Sequence, residues 1–143
     1  MEIIPFKIAK KLKEKGFREL CTHFYRYGTL KPQEIFCALR SNAHHKWSFN
    51  SMDAKLKDTY EQVQVNMVDA PTITQVLKWL REEKKMHLIV EISDRGWYYT
   101  LYPNVRWEDG VLKSDKYFMS FKHKQSFELA SIAGIEYVLD NLI

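Results

Sequence analysis

The sequence predicts an α+β fold. A C-terminal α-β-β-β-α unit, a three-stranded antiparallel sheet packed by helices, follows an N-terminal helix and a short strand and helix extension. Three observations carry the prediction. A lysine-rich segment near the N-terminus has helical apolar spacing and stops at a glycine. Between residues 86 and 122, three strand-length apolar stretches are separated by turn residues. Segments with helical periodicity flank those stretches, one opening at Thr72 and one near Ser126.

The bulk properties set the frame. A chain of 143 residues is the size of one domain and long enough to bury a core, so a single α+β domain spanning residues 1–143 is expected. A hydrophobic fraction of 45% with 28% charged residues is that of a globular protein. Four Pro and five Gly are too few for a disordered chain. The longest apolar run considered, Leu88-Ile89-Val90, has the length of a strand rather than a membrane span. At the N-terminus Glu2 precedes the apolar residues and the lysines follow them, the reverse of a secretory leader. The expected compartment is the cytoplasm. There Cys21 and Cys37, which form no CxxC pair, are read as small buried apolar residues rather than a disulfide.

The first helix is expected from about Phe6 to Lys15. Ile8, Ala9 and Leu12 share a stripe about 100° wide, and lysines occupy the rest of the circumference. Gly16 is placed to take the left-handed conformation after the helix, which brings Phe17 onto Leu12 in a Schellman stop. Cys21–Tyr27 reads as a strand ending at Gly28, and Pro32–Arg40 as helical through Ile35, Phe36 and Leu39. Residues 41–51 are polar and read as a loop tacked down by Trp47 and Phe49. Residues 53–68 fit both periods, with Leu56, Tyr60 and Val63 at helical spacing and Val63, Val65 and Met67 alternating.

From Asp69 the signals sharpen. Thr72 and Gln75 form a capping box, and Ile73, Val76, Leu77 and Leu80 a core-facing stripe with Trp79 on its flank. Lys84 and Lys85 end that helix on the favourable side of its dipole. A strand over Met86–Ser93 follows, with Leu88, Val90 and Ile92 on one face. Asp94-Arg95-Gly96 turns the chain into Trp97–Tyr102, closed by Pro103. Trp107–Gly110 is a further turn, and Tyr117–Lys122 the third strand. In the last helix Leu129, Ile132, Ile135, Leu139 and Leu142 make one broad apolar side beside a strip of Ala130, Ala133 and Gly134. Small residues in a row let a helix approach a sheet closely, which places this helix at the centre of the core. The apolar side chains of the meander are accordingly expected to be taken up by packing rather than by chemistry.

Two resemblances accompany this reading. The segments Ile8–Phe17, Ala70-Pro71-Thr72 leading to Lys78–Glu82, and the ending Ala133–Ile143 resemble a family of uncharacterised one-domain proteins from prophages and mobile elements of gut anaerobic bacteria. That resemblance implies an origin and no catalytic residue. The α-β-β-β-α order is similar to that of the double-stranded RNA-binding domain, which reads duplex shape through cations at the start of its last helix. It implies nucleic-acid contacts from Lys122 and Lys124, just before Ser126, whereas the helix itself opens Phe127-Glu128-Leu129 with an acid and no cation.

Charge adds a second cationic region. The net +4 belongs entirely to residues 1–70, because residues 71–143 hold ten cations and ten acids. Lys10 and Lys11 on the first helix are therefore candidates for an anionic partner such as nucleic acid, although the solvated face of an amphipathic helix has the same composition. On the second strand of the meander Trp97, Tyr99 and Leu101 share one face, and Tyr98, Thr100 and Tyr102 the other. Left uncovered, Tyr98 and Tyr102 would form a platform for bases or protein; covered by the N-terminal half, they would be core. A zinc site from Cys21, His23, Cys37 and His44 or His45 matches no standard ligand spacing, so no metal or other cofactor is expected. No nucleophile, base and orienting group occur in a recognisable arrangement, nor does a glycine-rich phosphate loop. The sequence thus points away from an enzyme and toward an accessory or interaction protein, with a nucleic-acid-binding module as the alternative and a small enzyme as the third reading.

Overall fold

A computed structural model describes residues 2–32 and 67–143. The expected helix after Pro32, the loop over 41–51, the ambiguous residues 53–66, and with them Cys37, His44 and His45, lie outside the described residues. The chain forms two compact units, one from Ile3–Thr72 and one from Ile73–Ile143 together with Glu2.

In the first unit, helix α1 (Phe6–Glu14) buries Ile8, Ala9 and Leu12, the stripe that the periodicity predicts. Its end is a complete Schellman motif. Gly16 sits at φ +92, Phe17 N–H donates to Leu12 O at 2.9 Å and Gly16 N–H to Lys13 O at 3.2 Å. Phe17 is fully buried. Strand β1 (His23–Arg26) pairs antiparallel with β2 (Thr29–Pro32) and β3 (Met67–Ala70), in the order β2-β1-β3.

Pro32 thus ends a strand instead of opening a helix. Gly28 does not stop a strand but closes a two-residue hairpin, with Arg26 opposite Thr29. Tyr27 and Gly28 take φ +50 and +79, the left-handed pair of a type I′ turn. Tyrosine is an uncommon occupant of that conformation, and for this reason the hairpin was hidden from turn chemistry. At the described end of residues 53–68, Met67 and Val68 lie in β3, whose four residues are all buried. Phe24 and Tyr25 are both buried, so β1 is covered on both faces. Tyr25 stacks obliquely on Phe6 at 5.2 Å and its hydroxyl donates to Ile4 O at 2.8 Å.

In the second unit, α2 (Ile73–Glu83) starts where Thr72 predicts. It buries Ile73, Val76, Trp79 and Leu80, so Trp79 is core rather than flank and Leu77 is half-buried. Strands β4 (His87–Ser93), β5 (Gly96–Tyr102) and β8 (Phe118–Met119) form an antiparallel sheet in that order, packed against α2 and the last helix, α3 (Phe127–Asn141). Between β5 and β8 a hairpin is inserted, β6 (Arg106–Glu108) and β7 (Val111–Lys113). Asp109 and Gly110 turn it at φ +52 and +75, again a type I′ pair, and this time with the expected residues.

The face of α3 that packs is only partly the expected one. Ala130, Ser131, Gly134, Ile135, Val138 and Leu139 are buried, whereas Leu129 and Leu142 are exposed. Ala130 and Gly134 of the small strip are thus buried together with Ile135 and Leu139 of the apolar side. A methyl group on Gly134 would lie 2.8 Å from both Leu88 Cδ atoms and 3.1 Å from Tyr99 Cγ, which is the close approach that the strip permits. The helix is capped by Ser126, whose Oγ accepts from Leu129 N–H at 3.1 Å. Ser126→Ala is expected to lower stability by about 1 kcal/mol, read as a shift in the urea midpoint.

Candidate functional site

The third strand stops earlier than the sequence suggests, and the reason creates the site. Ser120 pairs with Tyr99, its N–H donating to Tyr99 O at 2.9 Å while its Oγ accepts from Tyr99 N–H at 3.0 Å. The next contact with β5 is the Trp97–Lys124 bridge, with N–H to O distances of 2.9 and 2.7 Å. One residue of β5, Tyr98, therefore faces three residues of the other chain segment, Phe121, Lys122 and His123. The surplus is extruded as a bulge that carries its side chains out of the ladder. Phe121 is 90% exposed. A large apolar ring held in water is costly unless something covers it.

The bulge walls an open groove of about 690 Å³. Tyr98, Tyr117, Met119, Phe121 and His123 line it, with Arg95 and Asp94 from the β4–β5 turn and Lys116 at its rim. Tyr98 stands 5.5 Å from the His123 ring and Tyr102 5.7 Å from Tyr117, so aromatic rings run along the outer face of the sheet. On the opposite side of the bulge a smaller hollow of about 290 Å³ is lined by Lys122 and Lys124. Phe118, Ser120 and Phe121 border both. Phe118 also stacks on Tyr137 of α3 at 4.8 Å, which anchors β8 to the core just before the chain bulges out.

The sequence-predicted residues divide accordingly. Tyr98 and Lys122 belong to the groove and its neighbour, and the half-buried Tyr102 lies farther along the same face. Thr100, on that face, is buried. Lys124 is half-buried and held by its backbone to Trp97. Lys10 and Lys11 lie on α1 in the other unit, where Lys10 is exposed over the Phe6 ring at 5.7 Å. The expectation that packing takes up the apolar side chains of the meander needs correction: Tyr117, Met119 and Phe121 remain on the surface. Ile92 also runs beyond the core and is 65% exposed. Sequence reading passed over Arg95, Lys116, Tyr117, Phe121 and His123. The available signal was the stretch Lys116–Gln125, which has three lysines, three aromatics and no acid.

Three hydroxyls of the groove, those of Ser93, Ser120 and Tyr98, are already engaged. Ser93 Oγ accepts from Arg95 N–H at 3.2 Å and donates to Gly96 O at 3.3 Å, fixing the turn. Ser120 Oγ holds Tyr99 N–H. Tyr98 OH donates to Glu91 Oε2 at 2.8 Å, and this bond holds the phenol above its usual pKa. Among the described residues no three His, Cys, Asp or Glu side chains gather as a metal-binding group. Cys21 is buried in the first unit, its thiol 3.4 Å from Glu19 O. No helix among the described residues is long and apolar enough to cross a membrane.

A second hollow, about 340 Å³, lies where the β6–β7 hairpin meets the sheet, between His87, Ile89, Tyr102, Val105 and Leu112. Partial burial and, secondarily, the Arg81 charge lower the pKa of His87. A lowered folded-state value means that the unfolded chain binds the proton more readily, so stability falls as pH drops below the ordinary value of about 6.5. Urea midpoints measured between neutrality and mild acid should show this decline, with a flatter profile in His87→Gln. Compared with protein-family models, with curated proteins and with solved structures, the chain matches none.

Proposed function

We propose that this chain is a non-enzymatic binding protein, an accessory of a phage or mobile element, that works through the outer face of the β4–β5–β8 sheet. The observation that carries the reading is the bulge, which holds Phe121 in solvent above a groove of aromatic rings. Exposed aromatic surface of this kind is characteristic of contact sites. The non-catalytic part rests on the hydroxyls of the groove, since Ser93 and Ser120 both bind backbone and a nucleophile must instead be within reach of a base. The mobile-element part rests on the sequence resemblance alone.

The test is a ¹H–¹⁵N titration of the full chain with three probes: an oligothymidylate, a mixed-sequence duplex, and a Glu-Tyr copolymer as a disordered polypeptide. At least one probe is expected to shift amides within residues 93–98 and 116–124. Shifts confined to α1, or no shift with any probe, overturn the reading. Turnover in a broad hydrolase or transferase screen overturns its non-catalytic part.

A further inference from the structure

The chemistry around the groove specifies its occupant more closely. Arg95 and Lys116 line the groove, and Lys122 and Lys124 line the adjoining hollow. Against these four cations the same linings contain, among the described residues, one acid, Asp94. The nearby Glu91 has its Oε2 on Tyr98 OH. Residues 71–143 hold ten cations and ten acids, so the local excess of cations over acids at these linings departs from the balance of the segment as a whole. These cations surround rings that present apolar faces: Tyr98 and Tyr117 in the groove and Phe121 at its lip. A ligand complementary to this surface carries planar apolar groups at intervals along an anionic backbone.

We propose that the groove binds single-stranded nucleic acid, with bases stacked on Phe121, Tyr117 and Tyr98 and phosphates beside Lys116, Arg95 and Lys122. This rests on the reading of the outer face as a contact site and names its partner. Stacking needs rings whose faces are accessible, and bases in a duplex offer none along its length. The bulge supplies such a ring, because Phe121 has left the ladder and touches solvent over most of its surface. The start of α3, where a duplex-reading surface would place its cations, holds Glu128 instead. The surface is therefore arranged for unpaired bases. An acidic, tyrosine-rich polypeptide meets the same charges but does not require the successive exposed rings.

The test is fluorescence anisotropy of the full chain with a labelled 20-nucleotide oligothymidylate and a duplex of equal length. Single strands are expected to bind more tightly than duplex. Neutralising about three phosphates predicts an affinity loss on the order of 20-fold between 50 and 200 mM salt. Phe121→Ala, at a site too exposed to disturb folding, should weaken single-strand binding about tenfold. Lys122→Glu should weaken it and reduce the salt dependence. Trp107→Ala, at a 75% exposed ring on the β6–β7 hairpin outside the groove, should leave it unchanged.

The inference is overturned by no single-strand binding at 50 mM salt, by equal affinity for duplex, or by indifference to Phe121→Ala. If the Glu-Tyr copolymer shifts residues 93–98 and 116–124 while the oligonucleotide does not bind, the contact-site reading stands and only the nucleic-acid assignment fails.

Discussion

Gly96→Ala is expected to destabilise the second unit by about 3 kcal/mol, from two costs acting together. Gly96 has φ +118, a conformation that side-chain-bearing residues rarely adopt. The added methyl group would also lie 2.7 Å from Lys124 O, a backbone atom fixed by its bond from Trp97 N–H. Neither side can yield without breaking the Trp97–Lys124 bridge, the far anchor of the bulge. Gly110→Ala separates the two costs, because Gly110 has φ +75 and a methyl group there would meet nothing within 4 Å. That variant should lose only about 1 kcal/mol. Urea unfolding of the three proteins gives the comparison. Equal losses at the two positions would show that the contact with Lys124 O contributes nothing. The Gly96 variant should also weaken ligand binding at the groove, since Phe121 is presented only while both ends of the bulge are held.

Phe17→Ala is expected to cost about 4 kcal/mol in the first unit. Its ring is fully buried and its backbone N–H closes the Schellman motif on Leu12 O. Truncation keeps the backbone bond but leaves a cavity beneath the end of α1. Gly16→Ala, one residue earlier, strains a φ of +92 in open space and should cost about 1 kcal/mol. Faster amide exchange in β1 and β3 together with a lower urea midpoint is the expected result for Phe17→Ala. A stability within about 1 kcal/mol of the parent protein would mean that the ring is not part of the core.

These variants mark where local chemistry sufficed. The stop of α1 needs only Leu12, Gly16 and Phe17, neighbours along the chain, and it was legible. The same holds for Asp109-Gly110, whose residue types specify their turn. Tyr27-Gly28 adopts an equivalent turn with a residue that carries no such signal, so the β1–β2 hairpin and the place of Pro32 in it became clear only from the pairing. On α3 the periodicity correctly gave a helix and, in Ile135 and Leu139, part of its buried side, but it also put Leu129 and Leu142 there, because apolar character ranks Leu129 above Gly134. Packing ranks them by the space that Leu88 and Tyr99 leave.

The candidate site follows the same division. Tyr98 and Tyr102 were placed on a common face by strand alternation, which is a property of the backbone alone. The strand expected over Tyr117–Lys122 forms at Phe118–Met119, and beyond Ser120 tertiary pairing overrode it. Tyr98 faces three residues of the opposing segment, a mismatch fixed where Ser120 and Lys124 are anchored to β5, a strand well before them in the chain. By itself the sequence determined the three described helices, the strands β1, β4 and β5 and the order of these elements, since capping, periodicity and turn conformation depend on neighbours along the chain. Tertiary structure decided which helix face is buried and that Phe121, among the lysines, stands in solvent, because both depend on what packs or pairs across the fold.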